Sequence, residues 1–145
     1  MKRDKVDFSL LKITTEQFAV IESAFNEKEN IQLGVGFEFG IDPDHRVVAS
    51  IVRFELLTQN NPFLLIHVRC DFSVEENAWK EFSCVEKKSI CFPQGFISHL
   101  AVLTVGTARG ILHAKTENSR FNEFFLPTIN VTDFVKEDVT FELKE

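Results

Sequence analysis

One stretch of the chain decides the fold: PQGFISHLAVLTVGTARGILHAK, from Pro93 to Lys115. Pro93 suits the first position of a helix, and the only helix breakers after it are Gly95, Gly106 and Gly110. Apolar residues recur in this stretch at the 3.6-residue spacing of one helical face, which predicts a long helix. That face carries Ile97, Leu100, Ala101, Thr104, Ala108, Ile111 and Leu112, whereas Phe96, Val102, Leu103 and Val105 fall outside it.

A helix that is apolar nearly all round must be buried on more than one side. A membrane span is the alternative, but the apolar run is shorter than ~20 clean residues and is interrupted by His99, Arg109 and His113. One small sheet covers only one face of such a helix. We therefore predict that the other face packs against a second copy of the chain, without membrane insertion. The predicted oligomer interface comprises Ile97, Leu100, Leu103, Gly106, Gly110 and Ile111.

Upstream of this helix, the sequence predicts an antiparallel sheet of four strands. Apolar and polar residues alternate from Ile31 to Ile41, which is the pattern of a half-buried strand. Val47 to Thr58 is apolar on both faces and is predicted to be central, and Phe63 to Val74 alternates again. Glu16 to Phe25 fits a strand or an amphipathic helix, and a strand is favoured because it gives the sheet a fourth member. The polar stretch 59–62 is a predicted turn.

Three shorter segments complete the predicted fold. Ser73 to Phe82 has acidic residues where a short helix would begin. Phe124 to Val131 is apolar and is held extended by Pro127, and Val139 to Leu143 alternates like a strand. No repeat or linker divides the chain, so residues 1–145 are predicted to form one α+β domain, a four-stranded antiparallel sheet with one long helix packed on it.

Composition narrows the class of protein. The net charge is -6, and no basic stripe of the kind that binds nucleic acid is present in the sequence. The three cysteines include no CxxC pair, and the charged N-terminus lacks the apolar segment of a signal peptide. These features predict free thiols in a reducing, cytoplasmic environment.

The sequence offers no convincing catalytic or metal site. Gly34, Gly36 and Gly40 lie inside a strand pattern rather than between a strand and a helix, so they do not form a dinucleotide fingerprint. His99 and His113 stand about four turns apart on one helix and cannot share a ligand. No nucleophile–base pair, P-loop or carboxylate pair stands out. We therefore predict neither catalysis nor a bound metal or cofactor.

The aromatic content is unusual: 16 Phe, one Trp and no Tyr. Phe contributes apolar area without a hydrogen-bonding group, so these side chains belong in a core, a subunit interface or an exposed binding surface. Several must be core residues. The candidates for an exposed binding surface are Phe37, Phe39, Trp79, Phe82, Phe124 and Phe125.

The order of the motifs resembles a known family. Asp71-Phe72-Ser73-Val74 closes the last long strand, Cys91-Phe92-Pro93 precedes the helix, Arg109-Gly110 lies within it, and Phe125-Leu126-Pro127-Thr128-Ile129-Asn130-Val131 follows. This order is similar to that of the SecB protein-export chaperones and of SecB-like chaperones, some of which accompany toxin–antitoxin systems. The resemblance covers roughly Phe63 to Phe134.

The resemblance implies an ATP-independent holdase that binds unfolded or precursor proteins, with the six aromatic residues above as candidates for peptide binding. It also implies assembly as a homotetramer (a dimer of dimers) and a part in protein export with SecA. The alternative is a SecB-like adaptor dedicated to one partner, such as an antitoxin of a toxin–antitoxin pair. A third hypothesis, drawn from the Phe content, is a small-ligand carrier.

Overall fold

The computed structural model describes residues 6–124 and 126–143. Four long strands come first, and two helices and three short strands follow. Their bounds are β1 Phe8–Val20, β2 Ile31–Asp42, β3 Val47–Thr58, β4 Asn61–Val74, α1 Glu76–Phe82, β5 Ser83–Cys84, β6 Ser89–Phe92, α2 Gln94–Thr116 and β7 Val139–Glu142. Single 3-10 turns lie at Glu22–Ala24, Pro43–His45, Arg120–Glu123 and Val131–Asp133.

The four long strands form one antiparallel sheet in the order β1-β4-β3-β2. The two-sided apolar pattern of β3 correctly predicted a central strand. The strand prediction for Glu16 to Phe25 is confirmed only as far as Val20, because the chain then turns. The hydroxyl of Thr58 fixes this turn by donating to the carbonyl of Ala24 (2.9 Å) and accepting from the amide of Asn26 (3.0 Å).

The turn between β3 and β4 is shorter than the sequence predicted. Only Gln59 and Asn60 form it, with φ of 52° and 63°, the left-handed pair that suits a two-residue hairpin. Pro62, which we had placed in the turn, lies in β4 opposite Leu57, next to a shift in the register. A bulge tolerates proline because the ladder is already interrupted there.

Helix α2 packs on β3 and β4 and forms the core with them. Nine of its residues are buried. They include Val105, which the 3.6-residue spacing places outside the apolar face. Pro93 is the residue before the helix rather than its first member, and the Asp138 carboxylate accepts the amide of Gln94 at 2.7 Å. By length and composition, α2 could cross a membrane, but its buried face is what a core helix of a folded domain requires.

A second, three-stranded sheet in the order β5-β6-β7 lies at the end of the domain. It confirms the strand predicted from Val139 and adds β5 and β6, which we did not predict. Buried Ile90 and Phe92 of β6 join this sheet to the main core. The predicted short helix is α1, where the Glu75 carboxylate accepts the amides of Asn77 and Ala78.

Candidate functional site

The structure separates the aromatic residues that the sequence grouped as a peptide site. Trp79 is only 8% exposed and packs edge-on against Phe92, with ring centroids 5.7 Å apart. Phe82 lies 5.4 Å from Phe92 and 5.5 Å from Phe96. Both side chains thus anchor α1 and the start of α2 to the core, which is the ordinary role of a lone Trp beside a short helix.

A second aromatic cluster surrounds Phe124. Its ring lies 5.6 Å from Phe25 and 5.5 Å from Phe63, and the Arg120 guanidinium stands 5.2 Å above Phe25. Phe124 is half-buried because it covers the buried ring of Phe63 while its outer side borders an open hollow. Phe125, also predicted for the site, lies outside the described residues.

That first hollow has a volume of about 370 Å³ and lies at the start of β2. Phe25, Ile31 and Phe124 supply its apolar wall. The remaining lining is charged and consists of Glu27, Glu29, Arg120 and Glu123.

A second hollow, of about 420 Å³, lies at the other end of the same strand. Phe37 and Phe39 line it from β2, and residues 134–139 line it from the C-terminal segment. The ring of Phe134 stands 5.5 Å from that of Phe37 and is 51% exposed. Phe37 and Phe39 are half-buried, so the hollow exposes part of each ring.

The two hollows share one face of β2. Because side chains alternate along a strand, Ile31, Leu33, Val35, Phe37 and Phe39 all point to the same side. Leu33, between the hollows, is 37% exposed. We call this apolar strip, together with Phe124 and Phe134, the β2 surface. Of the six predicted residues, it includes Phe37, Phe39 and Phe124 and leaves out Trp79 and Phe82.

Charge at the two hollows is mostly negative. Their linings carry five carboxylates and two cations. The carboxylates are Glu27, Glu29, Glu123, Glu137 and Asp138, and the cations are Arg120 and Lys136. An apolar floor with this rim favours a ligand that is both apolar and cationic.

Comparison with known proteins gives one structural similarity. No family model matches the chain, and no curated protein matches it. The fold is similar to that of a SecB-like chaperone from Mycobacterium tuberculosis, solved in complex with the ChAD peptide of the HigA1 antitoxin. The two share 12% identity, the match covers 87% of this chain and 90% of that chain, and the TM-score is 0.38.

Arg109 links two of the sequence motifs, Arg109-Gly110 in α2 and the segment that contains Leu126 and Pro127. Its Nε donates to the carbonyl oxygen of Leu126 at 3.3 Å, and its Nη2 donates to that of Pro127 at 3.2 Å. The helix thereby holds the extended segment that follows Phe124. Asn130 then accepts the amide and hydroxyl of Thr132 and starts the next turn.

The predicted oligomer interface is only partly on the surface. Ile97 and Leu100 are 0% exposed and lie inside the core, because they face the sheet. Leu103, Gly106 and Gly110 are exposed, and Ile111 is half-buried. An interface with a second copy can therefore include Leu103, Gly106, Gly110 and Ile111. It must exclude the two core residues, Ile97 and Leu100.

Strand β1 extends this open face. Phe8, near the start of β1, lies 5.7 Å from the ring of His99, and Lys115 stands 5.7 Å from the ring of Phe18 near its end. Strand and helix therefore run side by side. We define the α2–β1 face by four exposed apolar residues, Leu10, Leu11 and Ile13 of β1 and Leu103 of α2; Val102 of α2 is exposed as well and is not part of this definition.

No metal-binding cluster of His, Cys, Asp or Glu occurs among residues 6–124 and 126–143. His45 bonds to Asp42 at 2.8 Å in an exposed turn. Burial raises the pKa of the Cys70 thiol, which lies beside the hydroxyls of Thr104 and Thr107. A thiol held protonated in this way is a poor nucleophile.

Proposed function

We propose that the protein is an ATP-independent holdase that binds extended, unfolded segments of other proteins on the β2 surface. The observation that carries this proposal is the alignment of two open hollows on one strand, joined by the exposed side chain of Leu33. An extended polypeptide is the ligand whose side chains repeat with the same period as a strand.

Apolar burial supplies the binding energy in this proposal. Each Phe or Leu of a client that becomes fully buried contributes about 1.5–3 kcal/mol, before the cost of ordering the segment is subtracted. Neither hollow is fully enclosed, so each accepts side chains of different shapes. Openness also favours a polypeptide over the small ligand that a carrier would enclose.

The charges select among apolar segments. The carboxylates around the hollows, Glu27, Glu29 and Glu123 at one end and Glu137 and Asp138 at the other, favour clients with Lys or Arg beside the apolar residues. Most of these contacts between carboxylates and client cations would be exposed to solvent. We therefore expect the affinity for clients to fall as the salt concentration rises.

The assembly we propose buries the α2–β1 face between two copies, with a dimer of dimers as the complete homotetramer. Exposed Leu10, Leu11 and Ile13 on an edge strand are what such an interface would cover. The proposed location is the cytoplasm, and the proposed mode of action involves neither a cofactor nor a catalytic step.

The opposite face of the sheet bears on the SecA connection, for which the resemblance implies acidic surfaces. Here Arg53 pairs with Glu38 at 2.6 Å and Arg69 with Asp71 at 3.0 Å, so two of the carboxylates on this face are balanced by a positive charge. This balance favours a holdase that acts without SecA over one that docks on it.

A dedicated adaptor for one partner, such as an antitoxin, is the second candidate. It would use the same β2 surface, and the fixed positions of the two hollows at the ends of a twelve-residue strand favour it. The two candidates differ in range: a holdase binds many unrelated sequences, whereas an adaptor binds one.

Aggregation assays separate the candidates. We expect the protein, without ATP, to suppress aggregation of several unrelated unfolded clients, and the Leu33→Ser/Phe134→Ser variant to lose most of this activity. Val85→Ser is the matched control, because Val85 is 88% exposed in the β5–β6 loop, away from the β2 surface. Suppression of no client would contradict the holdase, and selective binding of one antitoxin peptide would favour the adaptor.

A further inference from the structure

The two edges of the main sheet are built differently. In β1 the pairing with β4 shifts twice, between Leu10 and Lys12 and between Thr15 and Gln17. Bulges and an edge lysine are two of the devices that keep an exposed edge from pairing with another chain. In β2 the twelve residues pair with β3 without a single shift, and none of them is Lys or Pro. Strand β2 is therefore an edge without these protections.

The backbone groups on the outer side of β2 are open. Within the described residues, every backbone hydrogen bond that β2 makes to another element goes to β3. No residue of β2 is fully buried. A second extended chain thus finds a row of donors and acceptors that no register shift interrupts.

Glycine on the far face of β2 leaves room for a neighbouring chain. A Cβ added at Gly40 would meet nothing within 4 Å, and one added at Gly34 or Gly36 would make only ordinary contacts at 3.8 and 3.9 Å. Packing inside the chain therefore does not require these glycines, although each weakens a strand. Glycine within a strand often marks the close approach of another backbone.

We propose that a client segment binds by adding itself to β2 as a fifth strand of the sheet. This inference rests on the proposed function and specifies how the same surface holds its client. The backbone of the client pairs with the open edge, and every second side chain points toward the β2 surface, where Phe37 and Phe39 line one hollow and Ile31 lines the other.

Strand addition to β2 determines which kind of client segment can bind. The client is an extended segment of about ten residues in which apolar side chains alternate with polar ones and Lys or Arg flanks the apolar positions. Charge complementarity argues for the cations, because Glu27, Glu29, Glu137 and Asp138 line the two hollows. The polar side chains of the client would lie on the side of the sheet that carries Gly34, Gly36 and Gly40. Few side chains of β2 would obstruct them there.

Backbone methylation of a peptide tests the pairing without changing the protein. The peptide alternates Phe or Leu with Thr, carries Lys at both ends, and is N-methylated at one position at a time. We expect methylation at every second position to weaken binding about tenfold, because a hydrogen bond to β2 is lost there, and methylation at the positions between to change affinity little.

The outcomes separate this proposal from the proposed function. If the unmodified peptide binds and the methylated series shows no two-residue alternation, strand addition is wrong and the holdase stands. If the unmodified peptide does not bind while the chain remains folded, the proposed function itself fails. If two copies of the chain pair through β2 without peptide, so that peptide binding is lost as protein concentration rises, the occupant is a second copy and strand addition by a client is wrong.

Discussion

The ring of Phe37 lies 5.5 Å from the ring of Phe134, at an angle of 52°. This contact joins the edge strand β2 to the segment that leads into β7, two parts of the chain far apart in sequence. Phe134 nevertheless keeps 51% of its surface exposed. The contact therefore shapes one wall of a hollow without closing it.

Replacement of Phe134 tests whether this wall binds clients. We expect Phe134→Ser to weaken peptide binding about tenfold, because loss of part of an aromatic contact corresponds to roughly 1.4 kcal/mol. The free energy of unfolding should change by less than about 1 kcal/mol, since the side chain is half exposed. Isothermal titration and urea unfolding measure the two quantities. An equal loss of affinity in Val85→Ser would show that the peptide binds non-specifically to exposed apolar residues and not in the hollow.

Replacement of Arg109 tests the support of the segment after Phe124. We expect Arg109→Met to lower the free energy of unfolding by about 1–3 kcal/mol, because the carbonyls of Leu126 and Pro127 lose a charged donor. Arg109→Lys should recover only part of this loss, since an ammonium group does not reproduce the guanidinium fork. Lys87→Met, in the exposed β5–β6 loop, serves as the control in urea unfolding. Full recovery by lysine would contradict the two-bond arrangement.

Substitutions at two leucines of α2 should affect different properties of the protein. Leu100 is fully buried, so Leu100→Ala should cost about 2–5 kcal/mol of unfolding free energy. Leu103 is 39% exposed on the α2–β1 face, so Leu103→Lys combined with Ile13→Lys should leave the fold of the single chain intact and lower the oligomeric mass in light scattering. A wild-type chain that is monomeric at micromolar concentration would contradict the proposed assembly.

The three thiols should differ in reactivity. Cys70 is buried, whereas Cys84 and Cys91 are half-exposed. A disulfide reagent at mildly alkaline pH should label the last two quickly and Cys70 only after unfolding. Because burial raises the Cys70 pKa, the unfolded thiol ionises before the folded one, and this residue should reduce stability as pH rises through and above the ordinary thiol range. Rapid labelling of all three thiols in folded protein would contradict this packing.

Periodicity predicted the main sheet and helix, and it failed where the period itself is interrupted. The start of β1 was missed because Leu11 and Glu16 fall at its register shifts, which break the alternation on either side. Strands β5 and β6 span only two and four residues, too short for a period to be visible. Strand β6 also pairs with β7, which follows much later in the chain.

The candidate site was only partly predictable for a different reason. The sequence named Phe37, Phe39 and Phe124 among six aromatic candidates, and in the structure these three side chains are half-buried and line the two hollows. That they bind a client stays a prediction. Trp79 and Phe82 have the same composition signal, but α1 turns them toward Phe92. Phe134 was missed because its importance arises from tertiary contact with Phe37, which local sequence does not encode.

Hydrogen exchange with a permanently unfolded client protein tests the central claim most directly. Residue-resolved exchange is measured with and without the client, in the absence of ATP. We predict that the client slows exchange along β2, around Phe124 and in residues 134–139, and leaves the amides of β4, which pair with β1 and β3, unchanged. Protection confined to α1 around Trp79, or no protection in a chain that remains folded, would contradict the claim that the β2 surface holds unfolded segments.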